Sequence, residues 1–338
     1  MKNEAELEEV LSRPCEADLE AMRRLQGDLL LLGVAGKMGP SLARRAKRAA
    51  DAADVKVRII GVSRFSSESN RRLLEESGIE TISADLLDDA QLDAPPDAPN
   101  VISMAARKFG STGDESYTWA MNAYLPARIA ERFRQSRIVI FSSGNVYPLS
   151  SVPEGGSTED SPLEPVGEYA MSAVARERLI THFSKTNGTP VAILRLNYAV
   201  EMRYGVLLDI GTKVFERRPI DLGMGSANVI WQGDANSIAL RSFALASSPP
   251  FVLNLTGPET LSIRWAATRF GELFGVKPVL EGKERDTALL NNAAKCFRHF
   301  GYPTVSVEQL LEWTAAWIGA GGPTLNKPTH FEARDGKF

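Results

Sequence analysis

Residues 28–64 read DLLLLGVAGKMGPSLARRAKRAADAADVKVRIIGVSR, and the order of residue types in this stretch decides the fold. An apolar run, Leu29 to Leu32, meets three glycines, Gly33, Gly36 and Gly39. A basic segment one helix long follows, and then a second run rich in β-branched residues over 55–62. The pattern predicts strand, turn, helix, strand. In such a unit the first glycine permits a tight turn, the second lets backbone approach a pyrophosphate, and the third lets the helix pack close to the strand. The helix N-terminus then presents its unpaired N–H groups and the positive end of its dipole to the phosphates. A glycine-rich connector of any α/β protein is the plainer alternative; the flanking strands argue for a dinucleotide-binding turn, with Lys37 and Met38 part of it.

On the C-terminal side of this unit, strand and helix patterns keep alternating. Helices are expected at 71–77, 115–133 (one long helix containing Pro126) and 168–185, and strands at 79–84, 101–105, 138–141 and 191–196. Alternation at these lengths predicts an α/β fold with a doubly wound parallel sheet, a Rossmann fold. Before it, apolar residues at helical spacing on both sides of Pro14 predict two short helices within residues 1–27. Residues 149–167 are rich in Pro, Gly, Ser and Glu and read as a long loop. Beyond residue 200 the expectation is a helix at 206–217, a strand pair around Ile220 and Val229, a helix at 234–246, a strand at 252–255, and helices at 264–274 and 307–317. The expected division is an N-terminal helical extension (1–27), a dinucleotide-binding domain (28–200), a smaller α/β C-terminal substrate region that returns elements to the main sheet (201–318), and a tail (319–338).

Composition bounds the function. The chain has 338 residues, 43% of them hydrophobic, and a formal net charge of −3. That is ample for a globular core, and it supplies no basic footprint for nucleic acid; the run Arg44, Arg45, Lys47, Arg48 reads as a solvated helix face. Two cysteines and three histidines make neither a disulfide framework nor a metal site. The acidic N-terminus lacks the apolar stretch of a signal peptide, and no apolar run has the length of a membrane span, so the expected setting is the cytoplasm, without a membrane partner.

The spacing Gly-x-x-Gly-x-x-Gly resembles that of the short-chain dehydrogenase/reductase superfamily, in particular its extended branch, the NAD-dependent epimerase/dehydratase family. The resemblance runs from about Leu29 to Ile318 and rests on motifs in order. Ser63 and Arg64 end the second strand; an NAD site usually places an acidic residue there, whereas these two suit a 2′-phosphate, which favours NADP over NAD. Asp85 and Leu86 follow the third strand where the family contacts adenine. Ala105 and Ala106 stand beside the cofactor after the fourth, and Asn122 matches an Asn that supports the site through the backbone. The segment 141–147, FSSGNVY, resembles the family's strand-end motif and places the catalytic hydroxyl at Ser143. Tyr169 stands at the catalytic tyrosine, and Arg195, Leu196 and Asn197 resemble the Arg-Pro-x-Asn motif. By this resemblance the catalytic residues are Ser143 and Tyr169. Gly33, Gly36, Lys37, Met38, Gly39, Ser63, Arg64, Asp85, Leu86, Ala105, Ala106 and Asn122 bind the cofactor, and Lys108, Asn145, Arg195 and Asn197 bind substrate. Taken singly, Ser143 could simply end a strand, Tyr169 could be a core ring, Asp85 a helix cap and Arg64 a surface arginine.

One departure matters most. The family places a lysine four residues after its tyrosine, one helical turn on, where it holds the nicotinamide ribose and stabilises the phenolate. Here that position is Ala173. Free tyrosine titrates near ~10, so its use as a base at neutral pH requires a lowering of roughly three pH units, worth about 4 kcal/mol. Lys108 and Arg176 are the nearest cations by sequence. The resemblance therefore implies an NAD(P)-dependent oxidoreductase or epimerase/dehydratase-like enzyme acting by hydride transfer on a sugar, nucleotide-sugar or similar polyhydroxylated molecule. The rival is a cofactor-binding sensor or interaction protein that has lost catalysis. A homodimer is also implied, paired through the helices of 115–133 and 168–185 with Trp119, Leu125 and Ile129 at the contact; the alternative is that these residues face their own sheet.

Overall fold

A computed structural model describes residues 1, 3–108, 110 and 113–337. Its apolar runs form seven strands, β1 (Leu29–Leu32), β2 (Ile59–Ser63), β3 (Glu80–Ser83), β4 (Asn100–Ser103), β5 (Arg137–Ser143), β6 (Val191–Leu196) and β7 (Phe251–Leu255). All pair in parallel, in the order β7-β6-β5-β4-β1-β2-β3. Strand order reverses between β1 and β4, and in open α/β sheets ligands bind in the crevice at the carboxyl ends of the strands flanking such a reversal.

Side chains alternate across the sheet, as strand geometry requires. Leu29 and Leu31 of β1, with Ala192 and Leu194 of β6, join one core with Leu42 and Ala46 of α3 (Gly39–Ala52) and Ile238 of α10 (Gln232–Arg241). Leu30 and Leu32, with Val191 and Ile193, join the other, with Leu125 and Ile129 of α7 (Leu125–Arg132) and Ile180 of α8 (Glu168–Asn187). A third core lies among α9 (Val206–Phe215), α11 (Ile263–Phe274) and α13 (Val307–Gly319) and takes Leu7 and Leu11 of α1 (Glu4–Ser12). Helix α2 (Glu16–Arg24) is tied down by Asp18, whose buried carboxylate meets Arg45 of α3 at 2.6 Å and accepts the Ser237 hydroxyl of α10. Shorter helices are α4 (Glu68–Glu76), α5 (Asp89–Asp93) and α12 (Ala294–Phe300).

Several expectations change. The run 55–62 becomes a strand only from Ile59. The expected long helix over 115–133 is α6 (Glu115–Trp119), a π turn (Ala120–Tyr124) and α7. Pro126 stands just after the π turn, where the altered hydrogen-bond ladder accommodates a residue without an N–H. The segments near Ile220 and Val229 do not pair with each other: Pro219–Asp221 pairs with Val279–Glu281, and Ile230–Trp231 with Ala199–Val200. The stretch 149–167 includes a strand, Ser150–Ser151, paired with Thr287–Ala288. Leu125 and Ile129 are fully buried against their own sheet, so they cannot form the dimer contact expected of them. Among the described residues no helix is long and apolar enough to cross a membrane.

Candidate active site

The chain leaves β1 through Gly33, whose φ of +86° lies in the left-handed region, and an added Cβ there would stand 2.7 Å from the Ala105 nitrogen after β4. At Gly39, the first residue of α3, a Cβ would overlap the Val34 carbonyl oxygen, so helix and turn pack as closely as they do only because it is absent. Gly36 faces outward between them. The result is a backbone-lined cradle at the N-terminus of α3, the shape and polarity that a pyrophosphate requires. The cradle lies in a groove with two compartments that share Gly33, Gly36, Met104 and Ala106. One, of about 240 Å³, is lined by Ser63, Arg64, Asp85, Leu86 and Ala105. The other, of about 220 Å³, is lined by Lys37, Met38, Lys108, Ser143, Asn145, Tyr169 and Asn197.

In the second compartment Ser143, at the end of β5, accepts the backbone N–H of Asn145 (3.2 Å) and is 3.0 Å from its Oδ1. Tyr169 is the second residue of α8 and is 8% exposed. The Lys108 Nζ lies 6.0 Å from the centre of the Tyr169 ring and 5.7 Å from that of Tyr198. The Lys37 Nζ donates to the Ala199 carbonyl at 2.7 Å and stands 3.9 Å over the Tyr204 ring. Burial pushes Lys37 down to about 7, with Glu201 opposing and Lys108 reinforcing the effect. Burial also pushes Lys108 down to about 8. Among the described residues, those lining this compartment include three cations, Lys37, Lys108 and Arg176, and no carboxylate.

Comparison with known proteins fits this geometry. The family model described as "NAD dependent epimerase/dehydratase family" matches residues 29–200. The chain belongs to that family. A dTDP-glucose 4,6-dehydratase of Streptomyces niveus is 34% identical over 89 residues, which span 26% of this chain and 26% of that protein. Among solved structures, UDP-glucuronic acid 4-epimerase from Bacillus cereus with NAD is 19% identical; the match covers 86% of this chain and 98% of that one, with a TM-score of 0.70. A dTDP-glucose 4,6-dehydratase from Bacillus anthracis with NAD is 17% identical over 86% and 96% of the two chains, also with a TM-score of 0.70. At these identities the structural likeness shows a shared fold.

Two residues assigned by the family resemblance lie outside the groove. Arg195 has the same parity on β6 as Val191 and Ile193 and therefore points to α8, where it forms a buried ion pair with Glu177 at 2.7 Å and meets the Tyr147 hydroxyl. It cannot touch a substrate in the compartment. Asn122 is fully buried in the π turn; it accepts the Arg107 N–H and donates to the Arg107 carbonyl, both at 2.8 Å, and to Ser172 Oγ at 3.0 Å. It holds the backbone that follows Ala105 and Ala106, rather than lining the groove itself. Arg64 is exposed, donates to the Tyr117 hydroxyl at 3.0 Å and lies 3.9 Å from Asp85. Asp85 accepts the Leu87 N–H, and the cap of the following helix (Asp89–Asp93) is Asp88. Met104, Tyr198 and Tyr204 also form walls of the second compartment, and no sequence motif marks Met104 or Tyr204. Tyr198 carried the one available signal, its place directly after the Arg-Leu-Asn motif.

Proposed function

We propose that the protein is an NAD(P)-dependent enzyme of the epimerase/dehydratase or oxidoreductase type, acting on a sugar, a nucleotide-sugar or a similar polyhydroxylated small molecule. The observation that carries this reading is the continuity of one groove from the glycine cradle to Ser143 and Tyr169. Support also comes from the structural neighbours, one of which is UDP-glucuronic acid 4-epimerase in complex with UDP-glucuronic acid and NAD. Gly33, Gly36, Lys37, Met38 and Gly39 would hold the pyrophosphate, and Asp85 and Leu86 the adenine. Ala105 and Ala106 would leave room beside the cofactor. A bound nicotinamide would supply reversible hydride transfer. The chain's own part is positioning and proton management. Ser143 Oγ, oriented by Asn145, donates to the reacting oxygen; the Tyr169 hydroxyl carries the proton; Asn145, Asn197 and Lys108 hold substrate hydroxyl or anionic groups. Asn197 Nδ2 is buried without a partner among the described residues, as a donor awaiting a ligand oxygen would be.

The finer reading prefers NADP through Arg64, with residues 201–318 as the main substrate region, a reducing cytoplasmic setting that suits the two free cysteines, and a homodimer. Ala173 favours the second reading, a cofactor-binding sensor without turnover. Turnover assays with UDP-glucose, UDP-glucuronic acid and dTDP-glucose in the presence of NAD or NADP decide between them. The enzyme reading expects activity that falls by about 10² to 10⁴ in Tyr169→Phe with cofactor affinity nearly unchanged. Cofactor binding with no turnover on any of these would support the sensor.

A further inference from the structure

Tyr169 and Arg176 are seven residues apart on α8, two turns, and so share one face of the helix. Side chains on a helix lean toward its N-terminus. The long Arg176 stem therefore runs back over the turn occupied by Ala173, whose methyl group is wholly buried against Val146 and Tyr147. Two guanidinium nitrogens are fixed: Nε donates to the Asn122 carbonyl at 3.0 Å and Nη1 to the Phe141 carbonyl at 2.8 Å. Those carbonyls belong to the π turn and to β5, one residue before Ser142 and Ser143. Arg176 thus ties α8 to the π turn and to β5, and it lines the second compartment together with Ser143 and Tyr169.

The third nitrogen is different. Arg176 is 3% exposed, and its Nη2 is buried with no hydrogen-bond partner among the described residues. Among the described residues no carboxylate is in direct contact with it: the adjacent Glu177 binds Arg195 and the Ser142 hydroxyl and acts on Arg176 only through space. Burying a cation is costly, and burial accordingly pushes the Arg176 guanidinium below its usual range, opposed by the charge interactions with Tyr169 and with the Glu177 carboxylate. A guanidinium does not lose its proton under ordinary conditions. The cost is recovered when negative charge develops beside it.

We infer that, of the three cations lining this compartment, Arg176 is the one that supplies, from two turns along α8, the positive charge against which Tyr169 gives up its proton, with Nη2 left to donate to an oxygen entering the compartment. This is a positioning and electrostatic role, and it rests on the proposed proton-transfer function of Tyr169. The test compares Arg176→Gln, which keeps a donor for the two carbonyls but loses the charge, with Arg176→Lys, which keeps the charge, and with Ala173→Lys/Arg176→Gln, which moves the charge one turn nearer Tyr169. The readout that needs no substrate is ultraviolet difference titration of the tyrosines, with Tyr169→Phe subtracted to isolate the Tyr169 signal.

The expected result is that this signal moves to higher pH by about one unit or more in Arg176→Gln, stays near the parent in Arg176→Lys, and returns toward the parent in the relocated double variant. Calorimetric NADP titration and circular dichroism establish that each variant is folded. A folded Arg176→Gln whose Tyr169 titration matches the parent overturns the inference. If Arg176→Gln fails to fold, an Arg176→Lys signal shifted upward by as much as a unit overturns it instead, and an unshifted one supports it. Absence of turnover with all three nucleotide sugars sets aside the enzymatic reading alone, because the titration reports on Arg176 without it. Turnover combined with an unmoved titration removes Arg176 and leaves the enzyme.

Discussion

Lys37 is the side chain whose surroundings say most about what the groove is built to hold. Its ammonium group is fixed between the Ala199 carbonyl and the Tyr204 ring, and burial brings it down to about 7. An anion placed in the groove would raise both it and Lys108 toward the ordinary lysine range near ~10.4. Between those limits the empty groove holds fewer protons than the filled one, so NADP binding at pH 8 should take up protons. Calorimetry in two buffers of different ionisation enthalpy measures the number, and Lys37→Met should remove much of it; zero uptake by the parent would mean that neither ammonium meets the ligand. The same sign applies to stability: the unfolded chain keeps a proton that the fold sheds, so Lys37 makes the fold more stable as pH rises from about 7 toward 10. The glycines separate by the same kind of argument. Gly36 faces the groove, and a Cβ there would come only to 3.2 Å from the Gly33 carbonyl, so Gly36→Val should fold normally and lose at least about thirtyfold in dinucleotide affinity. Gly39→Ala meets backbone and should lose thermal stability first, which a melting curve would show before any binding measurement. A Gly36→Val variant with parental affinity would put the cofactor elsewhere.

At the scale of elements, α8 and β6 are joined by a buried pair whose purpose is structural. Arg195 and Glu177 side chains are 6% and 5% exposed, and Glu177 also accepts the Ser142 hydroxyl next to Ser143. Removing one member leaves the other buried and uncompensated, which costs about 3–5 kcal/mol. Arg195→Ala should therefore unfold at clearly lower urea concentration while the folded fraction binds NADP within a few-fold of the parent; a large loss of affinity with unchanged stability would return Arg195 to the groove. By contrast, Arg58 with Glu80 is an exposed pair, screened by solvent, and contributes little. The Arg195–Glu177 pair also lies where local sequence signals stop. The seven sheet strands, the two helices around Pro14 and the groove residues Ser143, Tyr169 and Asn197 were legible, because apolar runs, a proline break and ordered motifs are local signals. The Arg-Leu-Asn motif named the right segment, but whether Arg195 faces ligand or core depends on strand parity relative to α8, which no motif states. The same holds for the short strands near Ile220 and Val229, whose partners lie some 60 and 30 residues away in the chain: two- and three-residue strands carry no pairing signal of their own, and tertiary packing chooses for them.

For the whole molecule, assembly turns on which faces remain once the chain has covered its own sheet. Leu125 and Ile129 are consumed by the core, and the indole N–H of Trp119 is bound to Glu168. What stays outside on the same helical layer is Tyr124, 51% exposed, and Met171, 45% exposed, on the π turn and on α8, which pack against each other. Large apolar side chains exposed on adjacent helices suit a two-fold contact, in which each patch meets its own copy. The interface proposed for the homodimer is therefore the outer face of these helices, shifted from Leu125 and Ile129, which the family resemblance puts at the contact. Light scattering at micromolar concentration should give twice the chain mass of 36.9 kDa. Tyr124→Glu combined with Met171→Glu should bring the mass to that of one chain, because burying two carboxylates opposite their own copies sets like charges together in a desolvated contact. Calorimetric NADP binding should survive in that variant, since neither residue lines the groove. A parent protein that scatters as a single chain, or a double variant that stays twice as heavy, would move the contact off this face.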